Sequence, residues 1–313
     1  MGKQLGRGAD ERAWGADISR RSFVGGAGLA VAALALAGCA PRGTRWETGQ
    51  AATTPSAPAG GRTPAEIRAS KRLDIAVLSD AAPLGYISSF GNYVGYDIYL
   101  AGRLATELGA VANYVACDPS DRLGALADGR ADIVVAALPV TDEVSAVADL
   151  SMPYLRTTHC LVSRKDAFLG DLAEAAGRTV IACEGTEAAS VLAGAPEVGQ
   201  RLVSSYSEAG RALEAGEGDA LLADFLFATD WASEHAGFAA SEPGIGGWRL
   251  CAVGVPKGSA ELLEKINETM GALGGTSFFT WDYKQNLRPV LGEGFDLRQV
   301  VVEGGKVLAD AGA

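Results

Sequence analysis

Leu73-Asp74-Ile75-Ala76-Val77-Leu78 is a short apolar segment that opens a pattern running to Ala137. Tyr96 to Leu108 follows with helical spacing, then Val111 to Ala116 as strand, Ser120 to Ala127 as helix and Ala131 to Ala137 as strand. Apolar runs this short read as buried strands, and strands alternating with helices predict a parallel sheet covered on its faces. Within Tyr96–Leu108, Ile98, Ala101, Ala105 and Leu108 share one stripe, and Asp97 sits near the amino end, where an acidic cap is favoured.

The alternation returns further on. Thr179 to Cys183 reads as strand, Thr186 to Leu192 as helix, Leu202 to Ser205 as strand, Glu208 to Ala215 as helix, Asp219 to Ala223 as strand and Phe225 to Glu234 as helix. The fold class is therefore α/β, with two Rossmann-like lobes. His159–Ser163 and Leu250–Val255 are apolar runs placed to cross from lobe to lobe. The expected divisions are 63–157 for the first part of lobe 1, 158–253 for lobe 2, and 254–313 for the return to lobe 1 with the C-terminal tail. That return carries an amphipathic stretch, Glu261–Leu273, and the aromatic run Phe278–Tyr283.

Upstream, Arg20-Arg21 precede an apolar run that closes on Leu36-Ala37-Gly38-Cys39. A basic region followed by an apolar segment of about fifteen residues is too short for a permanent span and reads as an export signal, residues 1–38. Small residues before a cysteine have the shape of a bacterial lipobox, which assigns lipidation to Cys39; two or three acyl chains hold a protein on a membrane where one binds only marginally. Ser19-Arg20-Arg21-Ser22-Phe23-Val24 resembles a twin-arginine export motif, with Gly25 where a lysine often follows, and ordinary secretion fits the same arginines. Residues 39–62, rich in Ala, Pro, Thr, Gly and Ser, cannot support a core and read as a flexible tether.

Of 27 basic and 38 acidic residues, five and three fall in the signal, leaving a 275-residue chain with a net charge near −13. Such a balance excludes nucleic acid or an anionic membrane surface as a partner and suits an extracytoplasmic monomer. Cys117, Cys160, Cys183 and Cys251 allow two disulfides in three pairings, with reduced buried thiols as the alternative. HExxH, GxSxG and P-loop motifs are absent, so neither metal, cofactor nor catalytic residue is expected, and any ATP hydrolysis falls to a separate protein.

In open α/β sheets, ligands bind beyond the carboxyl ends of strands. Asp80 follows the first strand, Ala137–Thr141 the third, Glu184–Thr186 the first strand of lobe 2, and Asp224 its last. Gly185-Thr186 opens a helix whose free N–H groups suit an anion, and Asp224 suits an ammonium; plain helix capping is the other reading of Thr186 and Asp224.

Gly91-Asn92-Tyr93-Val94-Gly95-Tyr96-Asp97-Ile98, Leu126-Ala127-Asp128-Gly129-Arg130-Ala131-Asp132-Ile133, Val140-Thr141-Asp142-Glu143 and Met152-Pro153-Tyr154 lie in this order along the chain. Gly177-Arg178-Thr179-Val180, Glu184-Gly185-Thr186, Asp219 through Asp224, and Val301-Val302-Glu303-Gly304-Gly305 continue the series. Together they resemble the extracellular solute-binding proteins of family 3, over roughly residues 63 to 308. The resemblance implies a type II periplasmic binding protein fold, with two lobes on a two-stranded hinge. It also implies a small-molecule ligand, most often an amino acid, delivered to an ABC permease with its own ATPase. Asp80, Arg122, Thr141, Gly185, Thr186 and Asp224 are the expected ligand-binding residues.

Val144 departs from the family pattern, where an arginine commonly grips the ligand's carboxylate; Pro139 and Ala136-Ala137 also make the first lobe's wall more apolar. By its spacing to Gly129, Arg122 resembles an arginine that reaches the side-chain carboxylate of acidic ligands, the alternative being a solvated helix start. Tyr86, Phe225 and Trp231 are candidate pocket walls or core. Two other functions stay open: a sensor or docking protein with a degenerate pocket, and a dehydratase-like enzyme on the same fold, with Glu184 as a conceivable base.

Overall fold

The computed structural model describes residues 60–308. The signal peptide, Cys39, the tether up to residue 59 and residues 309–313 lie outside the described residues. In chain order the first lobe is built from α1 (Pro64–Ser70), β1 (Arg72–Val77), β2 (Asp80–Ala81), β3 (Gly85–Ile87), β4 (Tyr93–Val94), α2 (Tyr96–Glu107), β5 (Val111–Ala116), α3 (Arg122–Ala127), β6 (Ile133–Pro139) and α4 (Asp142–Val147). A long strand, β7 (Ala148–Arg164), leads to β8 (Thr179–Cys183), α5 (Glu187–Ala193), β9 (Gly199–Val203), α6 (Tyr206–Glu214), β10 (Ala220–Asp224), α7 (Phe225–Glu234) and β11 (Phe238–Ala240). A second long strand, β12 (Ile245–Pro256), returns to α8 (Ala260–Gly275), α9 (Phe278–Asp282), α10 (Arg288–Leu291), β13 (Val302–Glu303) and β14 (Lys306–Val307).

The main sheet runs β5-β1-β6-β12-β7-β10-β8-β9, with β11 on β7. Parallel pairs β5·β1·β6 at one end and β10·β8·β9 at the other are the two α/β halves expected from the alternation. Antiparallel β7 and β12 join them: the two pair from Ala148 opposite Pro256 to His159 opposite Ile245, while β6 flanks β12 and β10 flanks β7. Both crossing strands extend well beyond the apolar runs His159–Ser163 and Leu250–Val255. The sequence disguises the rest of β7 because Ser151 and Pro153 break any alternation, and the pairing shifts register beside Pro153.

Local structure follows the side chains. In α2, Ile98, Leu100, Ala101, Leu104 and Ala105 are buried, as the stripe requires. Asp97, read as an amino-end cap, does something else. The N-cap is Gly95, at φ 122°, where a Cβ would come within 2.3 Å of the Leu84 carbonyl oxygen, so a capping side chain has no room there. Asp97 instead turns inward and accepts hydrogen bonds from Ala137 N (2.8 Å) and Tyr154 OH (2.7 Å). Strand β9 begins three residues before Leu202, its early residues being exposed and polar, which hides them from an apolar pattern. Cys117, Cys160, Cys183 and Cys251 are all buried free thiols, so the disulfide framework is not formed. The first described residues are tied to the body: the Gly60 carbonyl accepts from Ser259 Oγ, and Arg62 clasps Asp132 through Nε (2.7 Å) and Nη2.

Candidate functional site

Where β7 and β12 pass between the halves, their side chains floor a small cavity. Thr157 lies opposite Arg249, and His159 lies opposite both Asp224 of β10 and Ile245 of β12. Arg122, Ala137 and Pro139 close the cavity from the first half; Thr186, Glu187 and Tyr206 close it from the second, with Cys251 on the floor. Its volume is about 30 Å³, room for a water or two but not for an amino acid. Beside it lies a cavity of about 540 Å³ lined by Thr141, Val144, Gly185 and Ser190, and Pro139, Thr186 and Glu187 line both.

Asp224 ends β10 and caps α7. Its Oδ1 accepts from Leu226 N (2.9 Å) and its Oδ2 from Thr157 Oγ1 (2.7 Å). No arginine or lysine among the described residues forms an ion pair with it. Burial pushes its carboxyl up to about 6, against the opposing pull of Thr157, Leu226 and Arg249. His159, also on the floor, is driven down to about 3 by burial and by the charge of Arg249, with the Ile245 carbonyl opposing. It is therefore neutral, and because a guanidinium only donates, His159 Nε2 accepts from Arg249 Nη1 at 3.2 Å. The proton then sits on Nδ1.

The expected residues divide. Asp224, Arg122 and Thr186 line the inner cavity, while Thr141 and Gly185 line its neighbour. Thr186 caps α5, donating to the Cys183 carbonyl (2.6 Å) and accepting from Ala189 N (3.3 Å), and Thr141 caps α4 by accepting from Val144 N (3.2 Å). Arg122 is buried rather than solvated. It donates to the carbonyls of Pro119 (2.8 Å), Ala136 (2.9 Å), Ala137 (3.2 Å) and, across the cleft, Gly185 (2.7 Å). Asp80 lies outside the cavity: its Oδ2 accepts from Ser207 N (2.8 Å) at the start of α6, tying the halves together at the rim. Phe225 is core, packed against Trp248 and Phe295, and the half-buried Trp231 stacks on His235; neither lines the cavity.

Thr157, His159, Glu187, Tyr206 and Arg249 were not expected at the site. Glu187 follows Thr186 directly and was within reach of the helix-start reading. The hinge residues carry no such local signal.

Residues 73–276 match the family model of bacterial extracellular solute-binding proteins, family 3. The chain belongs to that family. Among curated proteins, this solute-binding protein is 29% identical over 196 residues to the glutamine-binding protein of Geobacillus stearothermophilus, covering 61% of this chain and 75% of that one. It is 34% identical over 84 residues to the cyclohexadienyl dehydratase of Pseudomonas aeruginosa, but only 27% of this chain and 31% of that enzyme take part. Among solved structures, a solute receptor for L-cysteine of Neisseria gonorrhoeae superposes with a TM-score of 0.75 at 28% identity, covering 77% of this chain and all of that one. The relatives carry the two-lobed type II architecture, and in this solute-binding protein its hinge is the β7–β12 pair. No helix among the described residues is long and apolar enough to cross a membrane.

Proposed function

We propose that this solute-binding protein captures a small polar amino acid between its lobes and delivers it to the permease of an ABC importer, whose ATPase is a separate protein. Asp224 carries the reading: a buried carboxylate at the cleft, bonded only to neutral donors, beside a guanidinium in the same cavity. A zwitterion supplies both complementary charges. The sequence of residues 1–38, a basic region and apolar run ending at Cys39, supports an exported receptor held outside the bacterial membrane by lipid on Cys39; in this reading the receptor is a monomer with lobe boundaries near 157 and 253.

An acidic side chain is not favoured. Arg122 spends its hydrogen bonds on four backbone carbonyls, and a small cavity beside a relative named for L-cysteine suits a short, uncharged polar side chain. Capture rather than chemistry fits the relatives named as binding proteins, and the dehydratase match spans under a third of either chain.

A thermal-shift panel of L-amino acids, organic acids and simple amines tests this. At a hundred times Kd, mass action stabilises the fold by about 2.7 kcal/mol, which for a protein of this size raises Tm by roughly 5 to 10 °C. A flat panel would favour the sensor or docking alternative. A bound amino acid recovered chemically altered after incubation would favour the enzyme.

A further inference from the structure

Arg249 and Arg122 both line the inner cavity, yet they are held in opposite ways. The hydrogen bonds of Arg122 all end on backbone carbonyls fixed by the fold, so nothing arriving in the cleft displaces its partners cheaply. Arg249 has one strong partner, the Glu187 side chain, which its Nη1 engages directly. Its remaining contacts are with the neutral ring of His159 at 3.2 Å and the carbonyls of Gly246 and Gly247, both at 3.4 Å. A guanidinium this buried, 13% exposed, needs an anion, and Glu187 supplies the single negative charge in contact with it.

Glu187 is placed to leave. It occupies the first turn of α5, its side chain is 27% exposed, and it lines both the inner cavity and the larger cavity outside. Rotating its side chain outward merges the two spaces and exposes the Arg249 fork. An incoming carboxylate then replaces the departing one, and the charge around Arg249 is unchanged. The other anchor is already in register. Thr157 bonds Asp224 and lies opposite Arg249 on the neighbouring strand, so the cavity's positive and negative poles flank one residue of β7. Helix α4, which begins beyond Thr141, brings Glu143 and the apolar Val144 to the wall of the larger cavity and offers no competing cation.

We infer that Arg249 grips the α-carboxylate of the captured amino acid, and that Glu187 is an internal substitute for that carboxylate which the ligand displaces. The inference rests on the amino-acid reading above and names the chemistry of its carboxylate subsite. It makes Glu187 an inhibitor of binding rather than a contributor to it.

Calorimetric titration of the purified full-length protein tests the assignment. The probes are L-cysteine, kept reduced, and L-glutamine, each beside its decarboxylated amine, cysteamine or 4-aminobutanamide. In the wild type the amino acids bind and the amines bind much more weakly. Arg249→Gln lowers amino-acid affinity at least tenfold, leaves the amines where they were, and Arg249→Lys restores part of the loss. Glu187→Gln tightens amino-acid binding several-fold. Wild-type binding of an amino acid that survives Arg249→Gln unchanged overturns the assignment alone, as does a Glu187→Gln variant that binds no better than wild type. Wild-type protein that binds neither the two probes nor any amino acid of the panel defeats the amino-acid reading and this assignment with it. If Arg249→Gln does not fold, Glu187→Gln decides by the direction of its effect.

Discussion

Gly185 of the second lobe meets the backbone of Ser120 in the first so closely that a Cβ at 185 would lie 2.3 Å from the Ser120 Cα. Gly185 also holds φ at 71°, a conformation that an L side chain resists. Its carbonyl accepts from Arg122 across the same seam. The contact exists only when the lobes are together, so a methyl group here opposes closure without touching either core. Gly185→Ala is expected to fold with Tm lowered by roughly 2 to 8 °C, the cost of about 1 to 2 kcal/mol for a left-handed alanine, and to bind amino acids at least tenfold more weakly. Small-angle scattering of the ligand-saturated variant should retain the more extended profile of the empty protein. Wild-type affinity and compaction would show that the seam does not govern closure.

The carboxyl of Asp224, raised to about 6, sets a pH dependence for binding. An ammonium group needs the ionised form, so below pH 6 each unit of acidification costs roughly tenfold in affinity, until another group titrates. His159, driven down to about 3, stays neutral across this window. Affinity for an amine-bearing ligand should therefore fall from pH 7 to pH 5, and Asp224→Asn should bind weakly with a flat profile. Titrations at constant ionic strength check this. An Asp224→Asn variant that keeps both the affinity and the slope would remove Asp224 from the ammonium site.

Both α/β halves were legible because their strands are short unbroken apolar runs and their helices carry one buried stripe, patterns that local sequence determines. Asp224 was legible for the same reason, standing where a strand ends and a helix starts. Asp80 has an equally good local position, but what it meets is the start of a helix in the other lobe, 127 residues further on. Arg249 gave no signal at all. It follows Gly246-Gly247-Trp248, which reads as a loop, and only the pairing of Arg249 with Thr157 fixes it on the hinge floor. Residues whose role depends on the lobes meeting are set by tertiary register, and single-strand periodicity does not carry that information.

Ala137 sits on the cavity wall at φ 46°, left-handed without being glycine. The Asp97 carboxylate and Tyr154 hydroxyl both take its N–H and hold it there. Left-handed alanine costs about 1 to 2 kcal/mol, and glycine returns part of that gain through its looser unfolded state, about 0.4 to 1 kcal/mol. Ala137→Gly should thus stabilise the protein by roughly 0.5 to 1 kcal/mol, a rise in Tm of about 1 to 4 °C. Differential scanning calorimetry at neutral pH measures it. A clear loss of stability would mean that the Ala137 methyl group contributes more packing than its backbone conformation costs.

Asp282 lies fully buried at the end of α9, with Oδ1 accepting from Asn286 Nδ2 at 2.6 Å and Oδ2 without a partner. Burial, with a smaller push from Asp97, raises its carboxyl to about 8 against the Asn286 bond. The folded protein therefore holds a proton that the unfolded chain has already released, and stability falls as pH rises from about 4 towards 8. Asp97, Asp224 and Asp230, all near 6, act in the same direction, and His159, driven down to about 3, acts in the opposite one, but these four have largely finished titrating by pH 7, which leaves pH 7 to 8 to Asp282. In that window its contribution is a loss of up to about 1.4 kcal/mol per pH unit. Asp282→Asn keeps the size and an acceptor for Asn286 while removing the proton equilibrium. Urea titrations at pH 7, 7.5 and 8 should show wild-type stability declining and the variant's staying nearly level; parallel curves would mean that the Asp282 carboxyl titrates in the ordinary range.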